Sequence, residues 1–293
     1  MTKLYNRDVE ITIGSRSNLV DSVSFGVDFD IDFSVNMTAS GKDPNTANVK
    51  IYNANVQDHD LFIFDFDDLY LQINAGYNNI TGTLYSGDIT YMNEYKENVN
   101  WVLEIVAGDG QKAAKDNIIQ LSYKPDVSAK KIVNDIIDTM KNAGNIVVSS
   151  ISETALSALA KKKEKAGRTI SESAGDALEK MLDKFSYKYT IQNNELIIYA
   201  VDDAIETDAI YLSEETGLIN SPAIKRIEKG RKGKKTVTNG VEFDCLIQPN
   251  IKPGCTVEID SINDSCSDQY VVQDVTVSGT TKDSNYHMRV FAL

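Results

Sequence analysis

Over residues 27–37, "VDFDIDFSVNM", apolar and polar residues alternate strictly. Val27, Phe29, Ile31, Phe33 and Val35 fall on one face, with Asp28, Asp30, Asp32 and Ser34 opposite. This period of two predicts a half-buried β-strand. The stretch "DPNTANVKIYN" (43–53) predicts a loop ending at Pro44-Asn45. A short strand follows, with Val49 and Ile51 inward and Asn48, Lys50 and Tyr52 outward. Further strands are expected in "LYLQINAGY" (69–77), "TGTLYSGDITYMNEY" (81–95) and "VNWVLEIVAGDG" (99–110), with breaks at Gly41, Pro44, "AGYNN" and "GDG". Strands at this interval predict a sandwich or barrel.

Near residue 112 the period changes. In "VSAKKIVNDIIDTMKNAG", Ile132, Val133, Ile136, Ile137 and Met140 share one helical face. Asp126 or Ser128 is placed to cap the start and Gly144 to stop the end. A second helix is expected in "SESAGDALEKMLDKF", where Leu178, Met181, Leu182 and Phe185 repeat at helical spacing. The segment between, "ISETALSALAKKKEKAG", is open between a helix and an exposed, Lys-rich strand of chain. "YKYTIQ" (187–192) and "ELIIYA" (195–200) flank Asn193-Asn194, which suits a type I′ hairpin turn. From about residue 206 the chain reads as β again, in "AIYL", "VEFDCLI", "CTVEID", "QYVVQDVTVSG" and "NYHMRVFAL". "KRIEKGRKGKKTVTNG" (225–240) reads as an exposed loop. The fold class is thus α+β and mainly β, in three parts: 1–112 β, 113–205 α+β, and 206–293 β.

Charge supports the same division. The net charge is −13. Residues 1–110 hold 6 basic and 17 acidic side chains, residues 111–235 hold 21 and 18, and residues 236–293 hold 3 and 8. Two acidic β parts flank a mildly basic middle. The overall balance argues against non-specific nucleic-acid binding by the whole surface. No apolar run reaches the roughly 18 residues that a membrane helix needs. The N-terminal "MTKLYNRDVEITIG" lacks a signal peptide's apolar core, so the expected compartment is the cytoplasm in which the protein is made. Cys245, Cys255 and Cys266 are odd in number and lack C-x-x-C spacing, which predicts reduced, structural thiols.

Candidate chemistry is sparse. Asp28, Asp30 and Asp32 open like a calcium loop, but Phe33 stands at the sixth position, where glycine is needed. Ala39 stands at the twelfth, where a bidentate Glu is needed. These carboxylates are expected on a polar strand face, and no metal site is assigned. His59 lies near several carboxylates in sequence, but His287 is the only other histidine, too few for a zinc site or a recognisable triad. "GRKGKKT" (230–236) lacks phosphate-loop spacing. The 225–235 run and lysines 161–163 are solvated stretches or partner contacts. Acidic pairs are frequent, yet none is singled out as a glycosidase pair. No catalytic residue and no cofactor is expected.

The ordered series "PNTANVKIYN", "INAGY", "YSGDIT" and "WVLEIVAGDG" resembles the first tube-like domain of baseplate hub proteins from contractile-tailed bacteriophages. The helix "SAKKIVNDIIDTM", then "SAGDALEKMLDKFSYKYTIQNNELIIY", "GVEFDCLIQPNIKPGCTVEI" and "YVVQDVTVSG" resemble the rest of that family. The likeness spans nearly the whole chain. "NDSCSD" (263–268) departs from it, since a glycine is expected before "QYVV".

The resemblance implies a structural, non-enzymatic protein with two tube-like antiparallel β-domains (1–112 and 206–293) flanking the α+β region. It implies a homotrimer whose ring adapts a hexameric tail tube to a trimeric central spike and lets DNA pass without binding it. Other baseplate proteins are the further expected partners, and the virion tail baseplate, assembled in the host cytoplasm, is the expected location, without membrane contact. Asp28, Asp30 and Asp32 are then expected to line the lumen, where carboxylates would repel phosphates. The alternatives are a hub of a non-contractile phage, an R-type bacteriocin or another injection system. A cell-wall-degrading enzyme is a further one, set against a chain ending at "MRVFAL" with no appended module. The last is a carbohydrate-binding β-protein, disfavoured by the single Trp101.

Overall fold

The computed structural model describes residues 6–15, 22–41, 43–54, 69–77, 80–144, 146–151, 153–200, 209–231 and 234–293. The first β stretch contains β1 (Arg7–Ser15), β2 (Ser22–Phe25), β3 (Asp30–Thr38), β4 (Asn45–Tyr52), β5 (Leu69–Tyr77), β6 (Ile80–Glu97) and β7 (Asn100–Asp109). The middle holds β8 (Ile118–Tyr123), β9 (Val127–Ser128), α1 (Ala129–Gly144), β10 (Val147–Ile151), α2 (Glu153–Lys161), β11 (Lys163–Glu164), β12 (Arg168–Ser173), α3 (Ala174–Leu182), β13 (Tyr187–Gln192) and β14 (Glu195–Ala200). The last part adds β15 (Ile210–Leu212), β16 (Leu218–Arg231), β17 (Lys234–Cys245), β18 (Thr256–Ile259), β19 (Gln269–Thr280) and β20 (Tyr286–Ala292). The fold is α+β and mainly β.

Two compact units emerge. Unit 1 comprises Met1–Met37, Thr46–Ala107 and Ile205–Leu293; unit 2 comprises Thr38–Asn45 and Gly108–Ala204. In unit 1 the two β stretches share one 13-stranded sheet, ordered β16-β17-β20-β19-β3-β4-β7-β6-β5-β1-β2, with β18 on β19 and β15 on β18. The β15–β18 pair is parallel, a departure from an otherwise antiparallel expectation. Alternation drives the burial: Ile31, Phe33, Val35 and Met37 of β3 and Ala47, Val49 and Ile51 of β4 all enter one core with Val275, Val277, Met288 and Val290 from the last stretch.

The step from β3 to β19 is closed by main-chain and side-chain groups far apart in sequence. Thr281 donates its amide to Ile31 O (3.0 Å), and Thr276 Oγ1 meets Asn36 Oδ1 at 3.2 Å. A Cβ on Gly279 would lie 2.2 Å from the Phe33 ring, so only glycine admits this approach. The Tyr286 ring meets Phe33 and Tyr77 edge to face, at centroid distances of 5.9 and 5.4 Å. Its hydroxyl donates to Asp8 O (2.7 Å) and accepts from Gly76 N (3.3 Å). One buried side chain on β20 thus ties together β3, β5 and β1.

Unit 2 is assembled mostly from neighbours in sequence. β13 and β14 form the expected hairpin, with Asn193 and Asn194 at φ 54° and 63°, both left-handed as a type I′ turn requires. β10 joins β14 in parallel. Ile132, Val133, Ile136, Ile137 and Met140 of α1 are all buried, as are Leu178, Met181 and Leu182 of α3. Ser128 Oγ accepts from Lys131 N (3.2 Å), while Asp126 adopts φ 66° instead of capping. The segment left open between the helices contains α2 and then β11.

Three expectations are corrected. β3 begins at Asp30, because Gly26–Phe29 is a turn closed by Phe29 N to Gly26 O (3.0 Å). Val27 is therefore exposed, and Phe29 packs edge to face on Phe25 at 5.3 Å. Residues 225–240 are not a loop: β16 and β17 pair in register from Ala223↔Glu242 out to Arg231↔Lys234. Ladder pairing satisfies the backbone groups there whatever the charge of the side chains, and the β-branched Thr236-Val237-Thr238 was the signal for it. The glycine missing before "QYVV" is replaced by side-chain bonds around the turn Asp264–Cys266: Ser261 N donates to Ser267 Oγ (3.1 Å), and Asn263 N to Ser261 Oγ (3.2 Å).

Candidate assembly surfaces

The three expected carboxylates do not form one row. Asp28 is exposed in the turn before β3. Asp30 and Asp32 sit half-buried on the polar face of β3, where Lys282 pairs with Asp30 and Tyr52 donates to Asp32 Oδ2 at 3.2 Å. That face continues across β4 and β7. Lys50 Nζ lies 3.9 Å from Glu104 and 6.0 Å from the Tyr95 ring centroid. The Tyr95 hydroxyl, more than Glu104, holds the Lys50 ammonium above the ordinary lysine range. Burial, then the charge of Asp32, raises the Tyr52 phenol. The polar face is thus a set of cross-strand pairs, each worth a fraction of a kcal/mol to about 1 kcal/mol, with the exposed Tyr91 and Trp101 on neighbouring strands.

Among the described residues the sheet ends at β16 on one side and β2 on the other, and such edge strands are a template for pairing with another chain. β5 pairs with β6 only as far as Tyr70↔Asp88, so the outer half of β6 runs on past it. β16 ends the sheet, and β20 meets β17 only over Val241–Cys245. The remainder of β16 and β17 is a two-stranded ribbon. Residues 225–235 hold seven Lys or Arg and one Glu. Its base is tied down by Lys225, which meets Glu242 at 2.7 Å and lies 5.4 Å from the Phe291 ring centroid. In unit 2, Lys161, Lys162 and Lys163 are exposed between α2 and β11.

Nothing in the described residues gathers chemistry. No group of three His, Cys, Asp or Glu there could hold a metal ion. His59 lies outside the described residues, and His287 borders a cleft with Arg7 and Tyr286. Cys245, Cys255 and Cys266 form no disulfide among the described residues and are buried, and burial pushes the Cys245 thiol above its ordinary value. Among the described residues no helix is long and apolar enough to cross a membrane. The sequence reading missed two buried polar anchors of unit 2. Asp109 accepts the amides of Asn193 (2.5 Å) and Asn194 (2.9 Å). Asn45 accepts from Thr38 N and donates to Ile191 O, both at 2.9 Å. Only the positions of Asp109 within "GDG" and Asn45 after Pro44 hinted at either.

Residues 35–292 match the family model described as baseplate hub gp41. The chain belongs to the baseplate hub gp41 family. No curated protein matches it. Among solved structures, this hub protein is similar to the tail protein from Neisseria meningitidis MC58, at 8% identity over 98% of this chain and 96% of that one, with TM-score 0.63. It is similar to the 43 kDa tail protein of prophage MuSo2 from Shewanella oneidensis, at 8% identity over 97% and 96%, with TM-score 0.64. The E. coli c3393 protein, a component of the type VI secretion system, is similar at 12% identity over 96% and 76%, with TM-score 0.58. At such identities the likeness is one of fold. Family membership makes this chain a phage baseplate protein, and the solved structures add a shared fold.

Proposed function

We propose that the protein acts as a homotrimer whose ring adapts the hexameric tail tube to the trimeric central spike and leaves a path for DNA. The observation that carries this reading is the joining of both β stretches in one continuous sheet whose terminal strands, among the described residues, are β16 and β2. A chain with two β stretches offers the tube two strand-bearing segments per copy, and three copies would offer six. The tube protein, the spike and other baseplate proteins are the partners in this reading, assembled in the host cytoplasm. The ring is acidic, so a passing duplex would release no counterions to it and would not be held. Asp28, Asp30 and Asp32 face the lumen in this reading, with Asp28 the most exposed of the three. The protein is taken to have no enzymatic role.

The fold likeness to a type VI component favours a second reading, an injection-system hub, which a neighbouring sheath gene and its product would discriminate. The test of the first is native mass by light scattering at low and moderate salt, followed by imaging. A species near three times 32.4 kDa with a central channel supports the hub. A protein that stays monomeric both alone and with its tube and spike partners refutes it.

A further inference from the structure

Unit 1 contains a cleft of about 500 Å³ where the ends of β1, β5, β16 and β17 meet the start of β20. That volume falls within the range of about 300–1,000 Å³ typical of ligand pockets. Its walls carry a cation and an imidazole beside apolar surface: Arg7, His287, Ile219 and Leu246, over the ring of Tyr286.

Arg7 is pre-oriented. Its Nη1 donates to the carbonyls of Asp283 and Thr280, and its guanidinium carbon lies 5.3 Å from the Tyr286 ring centroid. These contacts fix the plane of the fork while satisfying Nη1 alone, so the rest of the guanidinium retains donors. Asp244 is the only carboxylate among the described lining residues, and it is already paired: Arg289 Nε and Nη2 reach its two oxygens at 2.8 and 3.2 Å. The charge of Arg7 is therefore not neutralised within the cleft. The backbone is also shaped for access. Between Ile219↔Asp244 and Ala223↔Glu242, β16 inserts Asn220, Ser221 and Pro222 opposite Phe243 alone, and Asn220 takes φ 61°. A bulge of this kind re-aims a strand, and such bulges collect beside functional sites.

We propose that this cleft is a carboxylate-binding site, in which Arg7 and His287 take the anion and Ile219 and Leu246 take the apolar group beside it. A planar fork suits a carboxylate, whereas one cation with one imidazole is a thin complement for a phosphate. The carboxylate comes either from a chain end of a neighbouring protein or from a free organic acid. This inference is independent of the trimeric hub reading.

The test uses the full chain with N-acetyl-leucine and its neutral isostere N-acetyl-leucinamide, followed by calorimetry and saturation-transfer NMR. The acid is expected to bind about tenfold or more tightly than the amide, as a charge-assisted pair should. Arg7→Gln should remove that preference. Leu246→Trp, which fills the cleft without touching the cation, should abolish binding, and it carries the test if Arg7→Gln fails to fold. Gly-Gly-Leu with a free carboxylate separates the sources. Tighter binding than N-acetyl-leucine identifies a chain end, and equal binding identifies a free acid. Equal affinity for acid and amide, no binding of the acid by the wild-type protein, or binding that survives Leu246→Trp overturns the proposal.

Discussion

Units 1 and 2 reach burial by opposite routes. The core of unit 1 depends on residues more than two hundred positions apart, with Tyr286 of β20 bonded to Asp8 and Gly76 and packed on Phe33. Most of unit 2 is one continuous stretch, in which α1, α3 and the β13–β14 hairpin bury side chains a few turns away in sequence. The chain in unit 2 pays little loop-closure entropy before its contacts form, whereas in unit 1 the joint between the first and last β stretches gains nothing until both ends of the chain have met. Long-range joints should therefore be where unit 1 is most easily broken, and local polar anchors where unit 2 is.

The largest effect is expected from Tyr286→Ala. It removes a buried ring together with two hydrogen bonds to the first β stretch, and a large-to-small change of this type costs about 3–5 kcal/mol. Hydrogen exchange resolved by segment should show protection falling together in β1, β3, β5 and β20, with α1 and α3 keeping theirs. Equal loss in both units would mean that they unfold as one and would end the comparison. Asp109→Ala should do the reverse at a smaller cost. It strands the amides of Asn193 and Asn194, one of them buried, for roughly 1–3 kcal/mol. The Asn193-Asn194 turn should exchange first, followed by β13 and β14.

These two residues also mark what could be read in the chain and what could not. Ile132 through Met140 and the Asn193-Asn194 turn were legible because their partners are close in sequence and periodicity reports local burial. The inward face of β3 was legible from Ile31 onward for the same reason. Its false start at Val27 arose because alternation cannot distinguish a strand from a turn whose second hydrophobic residue, Phe29, folds back on Phe25. The β16–β17 ribbon was hidden by its lysines and glycines, since pairing is satisfied by backbone while composition reports side chains. The cleft was not legible at all: Arg7, Ile219 and His287 come from three strands and Leu246 from the segment after β17, and no local pattern announces their meeting. The family likeness was readable only as an ordered series, because each fragment alone is an ordinary strand or helix.

A finer test of local control in unit 2 is Ser173→Ala. Ser173 caps α3 by accepting from Asp176 N at 3.2 Å. Losing a serine cap costs about 1 kcal/mol, which should appear as faster exchange at the first turn of α3, leaving β13–β14 unaffected. Ser173→Asp should restore protection, because a carboxylate both caps and complements the helix dipole.

The smallest effect is electrostatic and isolates one ion cluster. Lys184 Nζ meets Glu164 Oε1 at 2.7 Å, and Arg168 Nη1 meets the same oxygen at 3.2 Å. The hydrogen bond from Lys184 is the main reason that the Glu164 carboxyl is held below its ordinary value of 4.5. A carboxylate with a lowered folded-state value stabilises the fold fully above its unfolded value, and this contribution is lost as pH falls through the lowered one. Lys184→Ala should therefore destabilise unit 2 at neutral pH and converge with wild type in acid, where Glu164 is protonated in both. Lys184 is substantially exposed, so solvent screening limits the difference to a few tenths of a kcal/mol up to about 1 kcal/mol. It should shrink further when salt is raised. A difference that persists unchanged at low pH would place the role of Lys184 in the packing of its hydrocarbon stem instead of in its charge.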